Sequence, residues 1–407
     1  MRTKFLEKNK THQKNDDYVF DKRLYVIFLI IFTEILGFSM VLPLIPALGK
    51  EIGLTPVEIG LIVSVFSLSQ LFASPVTGKL SDRFGRKPLL ILSQISTMTG
   101  FLILGFATTA ILLLTSRLID GLLGSNMTVS QAYISDITEP KHRTRVFGYT
   151  SGIFGAGLIF GPVIGGFLYE ISSSFPMFLA AGISLISVIL VVLFLPETIN
   201  QKPNKFSLGW DTIPIKDAIG FMKTPKVRIS LVMFFIYSLG FFLLISNFTL
   251  FAQTQFNVNT AQVGSYLGWL GFLRVFIQTF LIARILRSIS EWTMLRTGIV
   301  AMIISMVGIA FSQEYLFVFV PLVFMGYGTG VIRPVLLSKL TNSVTQSETA
   351  TVIGVNNSLT SIAQIITPIA GGFMIQYWPS QTIPIVSILF FLVLLSISKN
   401  RDKKKIN

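Results

Sequence analysis

The chain contains no cysteine and only two histidines, His12 and His142. Disulfides, thiolate metal sites and thiol catalysis are therefore excluded. Both histidines lie outside the apolar runs, so neither a metal site nor a cofactor is expected. Charge is scarce as well: 13% of residues are charged, against about 25% in soluble proteins. The phosphate-binding pattern G-x-x-x-x-G-K-[ST] is absent, so ATP is not the expected energy source. No grouping of Ser, His and Asp suggests catalysis, and an enzyme is not expected. Residues 1–23 are polar, and the first apolar run lacks a small-residue cleavage site after it. They read as a cytoplasmic tail and not as a cleaved leader.

What the chain has in abundance is apolar sequence, with 52% hydrophobic residues and a mean hydropathy of +0.70. Apolar runs fall near 24–46, 57–77, 89–107, 110–132, 146–168, 175–195, 229–252, 261–283, 293–312, 315–336, 349–374 and 380–397. Runs of about 20 residues cross a bilayer as helices. Open strands are excluded, because their backbone groups would go unpaired in lipid. The expected fold is an all-α polytopic membrane protein with twelve transmembrane helices.

The basic residues orient it. Of 33 Lys and Arg, 29 fall in the tails and in alternate connections, while Lys50 falls in the other set. The remaining three, Arg117, Arg274 and Arg333, lie within or at the ends of apolar runs. Basic residues collect on the cytoplasmic side. Both termini are thus expected in the cytoplasm, with the protein in the plasma membrane. The net charge of +14 then reflects topology, and nucleic-acid binding is not expected.

The segment 196–228 is the longest polar connection, with four prolines. It divides a six-helix half at 24–195 from a second at 229–397, and a basic tail follows at 398–407. The halves repeat weakly. Gly157, Gly161, Pro162, Gly165 and Gly166 reappear, shifted by 206 residues, as Ala363, Thr367, Pro368, Gly371 and Gly372. That spacing puts small side chains on one helix face, where a neighbouring backbone can approach. Two halves with a site between them near the midplane is a transporter plan.

The most specific motif is Gly78-Lys-Leu-Ser-Asp82-Arg83-Phe-Gly85-Arg86-Lys87-Pro88. So charged a stretch between two apolar runs must be a tight loop outside hydrocarbon. Its order resembles the loop between helices two and three of the major facilitator superfamily. The stretch 152–166 resembles the fifth-helix motif of drug/proton antiporters within that family. The stretch 37–46 resembles the first helix of twelve-helix drug antiporters, and 117–138 resembles helix four of tetracycline exporters. The resemblance covers the chain after residue 24. It implies two six-helix halves, no enzymatic activity and proton-coupled efflux of small amphipathic compounds. It also implies that Asp82 and the nearby arginines latch the halves together near helix eleven, by Glu348, when the transporter faces outward. The expected partners are a small-molecule substrate, protons and the lipid bilayer, and the expected state is a monomer.

Several charged groups fall inside the runs. Glu34 lies midway along the first. An ionised carboxylate there is costly, so it must be protonated part of the time, paired, or facing a wet cavity. That makes it a candidate proton carrier, with a structural pair to an arginine as the alternative. Tetracycline exporters carry an acid at the corresponding place. Tyr237 is its repeat-related counterpart. Arg117 and Asp120 lie three apart and share a helix face. The resemblance gives Arg117 a part in proton coupling, while Asp120 is either a direct participant or the partner of Arg117. Arg274 has no counterpart in the tetracycline exporters. It either balances an acid of the N-terminal half or reads an anionic substrate. The ninth run lacks the acid those exporters use with metal–tetracycline, which puts tetracycline itself in doubt. Cavity candidates near the midplane are Phe38, Gln70, Gln131, Phe154, Tyr237 and Phe241, with Asn247, Tyr266, Trp269 and Arg274. Two rival readings are a transporter of an organic anion or sugar, and a non-transporting receptor or scaffold of the same fold. The intramembrane charges argue against the second.

Overall fold

The computed structural model describes residues 21–124, 126–139, 142–199, 220–282, 284, 289–345 and 348–406. Most of the expected tail (1–20) and of the expected linker (200–219) lies outside these residues. Among the described residues, twelve rods follow in order. The first six are α1 (Lys22–Glu51), α2 (Pro56–Phe84), α3 (Arg86–Gly105), α4 (Ala110–Leu123 and Asn126–Ile137), α5 (Arg143–Ile171) and α6 (Phe175–Phe194). The others are α7 (Pro225–Ile245 and Phe248–Phe256), α8 (Thr260–Phe276), α9 (Glu291–Phe311), α10 (Phe319–Thr341), α11 (Thr349–Tyr377) and α12 (Thr382–Ile406).

Among the described residues, ten helices are long and apolar enough to cross a membrane without a break. The remaining two rods depart from the simple runs read in the sequence. α4 breaks at Gly124 and resumes to Ile137, beyond the expected end at 132. α8 widens into a π-turn over Ile277–Leu281. α7 begins at Pro225, four residues before the expected start.

Local chemistry sets the ends. Asp21 caps α1 by accepting from the Arg23 N–H at 2.8 Å. α2 opens on a capping box, Thr55 with Glu58, and α8 on another, Asn259 with Gln262. Each box satisfies two orphan N–H donors at once. They stand 204 residues apart, within two of the shift of 206 seen in the glycine repeat.

The halves are cored differently. In the C-terminal half a large apolar cluster runs from Met233 through Tyr266, Met302 and Ile332 to Leu394, and a smaller one joins Val227, Leu231, Leu340, Val352 and Val355. Two apolar clusters of the N-terminal half are separated by polar groups. One joins Met40, Phe101, Leu104, Leu113 and Met177. The other joins Leu24, Ile31, Leu90, Tyr133 and Val191. Between them lies a layer of buried polar side chains, Gln94, Thr97, Arg117, Asp120 and Asn126.

The halves meet chiefly along α5–α8 and α2–α11. Glycines make this possible. A Cβ on Gly60 would run into the Pro368 carbonyl, and one on Gly264 into that of Pro162. Without a hydrophobic drive between helices in lipid, such close packing is what holds them.

Candidate functional site

A cavity of about 270 Å³ lies between the halves. Phe38 and Leu42 of α1, Phe66 and Gln70 of α2, and Pro162 of α5 form one wall. Phe241 and Ile245 of α7, Leu270 and Arg274 of α8, and Gln364 of α11 form the other. The lining is mostly apolar and aromatic with a few polar groups, the character of a small-molecule site.

Behind Phe66 lies the charged layer. The Arg117 guanidinium stands 5.9 Å from the centre of the Phe66 ring, which itself packs on Phe38 at 5.8 Å. Arg117 pairs with Asp120 at 3.4 Å, and both are almost wholly buried. Asp120 also accepts from the Thr97 hydroxyl at 2.8 Å, and that hydroxyl accepts from the Asn126 amide at 3.1 Å. The break in α4 makes room for this: a Cβ on Gly124 would come within 2.7 Å of the Asp120 Oδ1. Glu34 sits one helical turn from Phe38 and within electrostatic range of Asp120. Its Oε2 and the Arg117 Nη2 are buried without a hydrogen-bond partner among the described residues. The three charged residues singled out in the N-terminal half thus gather in one place.

Of the ten cavity candidates, Phe38, Gln70, Phe241 and Arg274 lie on the cavity wall. The structure places the other six elsewhere. Tyr237 is buried beside Phe234 and stacks on Phe241 from behind. Asn247 sits at the break in α7 and spends its amide on the Leu243 and Thr367 carbonyls. Tyr266 is fully buried and donates to the Tyr315 carbonyl at 2.8 Å. Trp269 stacks on Phe272. Phe154 packs on the apolar cluster of α1 and α4, and Gln131 is exposed outside the lining. The electrostatic neighbours of Arg274 are Tyr237 and Arg333, both of its own half. In this conformation no ion pair across the cleft reaches it among the described residues.

The glycines of α5 serve two neighbours. Gly157, Gly161 and Gly165 face α1, where a Cβ would strike Ile35, Ser39 and Met40. Gly166 faces the start of α8. The Ser39 hydroxyl donates to the Gly157 carbonyl at 2.8 Å, tying the cavity wall to this face.

The halves are sealed at one end. Thr249 donates to the Pro43 carbonyl at 2.8 Å and Ser64 to that of Ile365 at 2.7 Å. The Thr260 N–H donates to Glu170 at 3.0 Å, and the Val57 N–H to Gln376 at 3.3 Å. All four lie away from the charged stretch at 78–88, which is not the tight loop expected: α2 runs on to Phe84 and α3 starts at Arg86, so Gly85 alone makes the turn. There, Asp82 and Asp136 flank Arg86 at 2.6 and 3.0 Å, and Ser81 accepts from it too. Gly85 makes the turn with φ of 110°, a conformation costly for any side chain. Glu348 does not meet Asp82. The Thr345 hydroxyl and N–H hold its carboxylate instead, and these bonds keep it below the ordinary carboxylate range.

Sequence reasoning missed Glu197. Its carboxylate accepts from the Arg86 and Lys87 N–H groups at 2.8 and 3.1 Å, capping α3 from the end of the N-terminal half. Thr97 and Asn126 were missed as well. Small uncharged side chains within apolar runs carry no signal in a search for charges.

The Major Facilitator Superfamily model matches residues 27–368 and 292–405. A class H tetracycline resistance protein of Pasteurella multocida is 30% identical over 393 residues, covering 92% of this chain and 96% of its own. Multidrug resistance protein 2 of Bacillus subtilis is 28% identical, covering 87% and 89%. Among solved structures, the human organic anion transporter MFSD10 superposes with a TM-score of 0.69 at 21% identity, covering 92% and 98%, a likeness of fold. The family model and the tetracycline-resistance relative each cover most of the chain, and the chain belongs to the major facilitator superfamily of membrane transporters.

Proposed function

We propose that the chain is a proton-coupled exporter of small amphipathic compounds, working by alternating access in the plasma membrane. The observation that carries this is Phe66. One face of its ring lines the apolar cavity, while Arg117, paired with Asp120, lies close to the ring. A substrate that moves Phe66 therefore acts on the charges, and a proton that changes the charges acts on Phe66. Glu34 serves as proton carrier, and Arg117 sets the field at the acids. Relatives named for tetracycline and multidrug resistance support efflux over uptake. With the basic turn and both termini in the cytoplasm, the sealed end faces outward and the conformation is inward-facing. The turn at 78–88 then acts as a gate, free to engage the other half once the cavity turns outward. The protein works as a monomer and has no nucleic-acid partner.

The test is transport into everted vesicles, with ethidium, tetraphenylphosphonium, tetracycline and an organic anion assayed side by side. Proton-driven uptake of the amphipathic cations is expected. Glu34→Gln should abolish driven accumulation and leave binding, because the amide keeps size and hydrogen bonding but not the titrating proton. Unchanged driven uptake by this variant sinks the assignment. A second reading, organic-anion transport, rests on Arg274 facing the cavity with no acid partner among the described residues.

A further inference from the structure

We propose that the N-terminal half holds a second, hydrated pocket beside the substrate cavity, walled by Ser93, Gln94, Thr97, Asn126 and Ser130, and that its water carries the coupling proton between Glu34 and Asp120. The inference rests on the proton-coupled reading above and adds a route and residues to it.

The register places the residues. α3 and the second part of α4 run antiparallel and are joined where Asn126 donates to Thr97. One turn nearer the basic end, the same register sets Ser93 and Gln94 against Ser130. All three are essentially inaccessible to bulk solvent. Yet the Ser93 and Ser130 hydroxyls, both amide atoms of Gln94 and the Asn126 Oδ1 have no hydrogen-bond partner among the described residues. Burying such groups unpaired carries their full desolvation penalty. Five together in one short interval describe a site for water, which satisfies such groups through two to four bonds per molecule.

The surroundings confine this water. Toward the basic end Leu89, Leu90, Tyr133 and Ile134 close the pocket, and beyond them lies the Arg86–Asp136 pair. Toward the sealed end Phe101, Leu104 and Leu113 close it. At the repeat shift of 206, Ser93, Gln94, Asn126 and Ser130 correspond to the apolar Ile299, Val300, Ile332 and Leu336 of α9 and α10. The helix fold therefore does not require polar groups there.

What the pocket adjoins gives it a use. Thr97 of the pocket wall bonds Asp120 directly, and Glu34, its Oε2 unsatisfied among the described residues, lies within electrostatic range of that same Asp120. A proton leaving the Glu34 carboxyl passes along pocket water to the Asp120 carboxylate. One group gains what the other loses, and no other group changes. The cavity need not be wet for this, so an apolar substrate can occupy it during transfer.

The test uses full-length protein in proteoliposomes, with tetraphenylphosphonium as the probe. Gln94→Leu replaces the amide with an apolar side chain of similar volume. Proton-driven uptake should fall about tenfold, since positioned proton transfer commonly contributes that much or more. Exchange of labelled for unlabelled probe at equal pH should stay near wild type, and Gln94→Asn should recover part of the driven rate. Equal loss of exchange and driven uptake assigns Gln94 a merely structural role and overturns the proposal, as does wild-type driven uptake. Ser130→Ala, a smaller change, decides the matter if Gln94→Leu does not fold. A second readout needs no substrate. Radiolytic oxidation by bound water should mark Met127, next to Asn126, and fall several-fold in Gln94→Leu. If no probe is transported by wild type, the exporter reading fails. Oxidation of Met127 that Gln94→Leu leaves unchanged shows a dry pocket and ends this one alone.

Discussion

Glu170 and Gln376 occupy matching places in the two halves and make the same bond. Each ends a proline-kinked helix, α5 or α11, and each accepts from a backbone N–H at the start of a helix of the other half. Glu170 takes the Ala261 N–H at 3.3 Å, and Gln376 the Val57 N–H at 3.3 Å. Glu170 takes the Thr260 N–H too. The seal is thus quasi-symmetric in geometry but carries a charge on one side only. A carboxylate at a helix N-terminus gains from the partial positive charge there.

Glu170→Ala should loosen this end. Hydrogen bonds to a charged group are strong, but Glu170 is exposed, so the loss is about 1 kcal/mol, or about fivefold in the closed-to-open ratio. The chain has no native cysteine, so a single cysteine replacing Ser67 on the cavity wall reports access cleanly. Its labelling from the sealed side by an impermeant maleimide should rise about fivefold with Glu170→Ala, and less with Glu170→Gln, which imitates the other half. Equal labelling rates in all three would show that the bond does not hold the gate.

Gly85 and Glu197 form the corresponding fixture at the basic end. A Cβ on Gly85 would collide with the Glu197 carboxylate, and φ there is 110°. Gly85→Ala should cost about 1–3 kcal/mol from backbone strain alone and displace Glu197 from the α3 N-terminus. Thermal unfolding in detergent should show this as a lower midpoint. Glu197→Gln, which keeps one acceptor, should recover more than Glu197→Ala. A Gly85→Ala protein as stable as wild type would contradict the arrangement.

Asp82 offers a contrast with these static contacts. It pairs with Arg86 within its own half while the opposite end is sealed. If it engages the other half in the alternate state, Asp82→Ala should lower turnover about tenfold or more, as loss of a coupling of about 1.4 kcal/mol or more would. Equilibrium probe binding should change little. A large loss of affinity with turnover of bound probe intact would argue for a binding role instead.

How much of this could be read from the chain follows from the range of each signal. The number of rods, the repeat and the family motif are written in runs and local spacings, so they were legible. Phe38 and Gln70 lie on α1 and α2 at depths that pattern alone suggests. Asn247 and Tyr266 looked equally suitable, but their polar atoms are committed to main-chain carbonyls that no local pattern reveals. The Glu197 contact spans 111 residues and joins a loop to a helix start, so it has no periodic trace. The break at Gly124 hid inside an apolar run, because a glycine there is as consistent with packing as with an ending.

Phe66 joins cavity to charge, and its replacement should separate them. Phe66→Leu keeps an apolar wall but removes the ring face beside Arg117. A cation–π contact in a desolvated setting is worth about 2 kcal/mol or more. The expected effect is a shallower pH dependence of driven uptake, with probe affinity changed less than about fivefold. Fluorescence binding and vesicle transport, each measured across pH, separate the two. A steep loss of affinity with the pH profile intact would make Phe66 a substrate contact only.

Arg274 decides between the two substrate readings. It faces the cavity, and its electrostatic neighbours are Tyr237 and Arg333, not an acid. A lone cation at membrane depth ordinarily needs a protein partner, so in the alternate conformation it would meet Glu34 or Asp120. In that case Arg274→Ala disturbs coupling for every substrate, and Glu34→Gln or Asp120→Asn in the same chain restores part of the exchange activity. If instead it reads an anion, the loss is confined to anionic substrates, and Arg274→Lys keeps part of the function by keeping the charge without the planar fork. The double-mutant set, assayed for ethidium and an organic anion together, distinguishes them. The exporter reading expects parallel losses and a coupling between the two positions of about 1–3 kcal/mol, the usual range for groups in contact. Selective loss of anion transport, with ethidium transport and its pH dependence unchanged, would place the anion in contact with Arg274 and make the organic-anion reading the correct one.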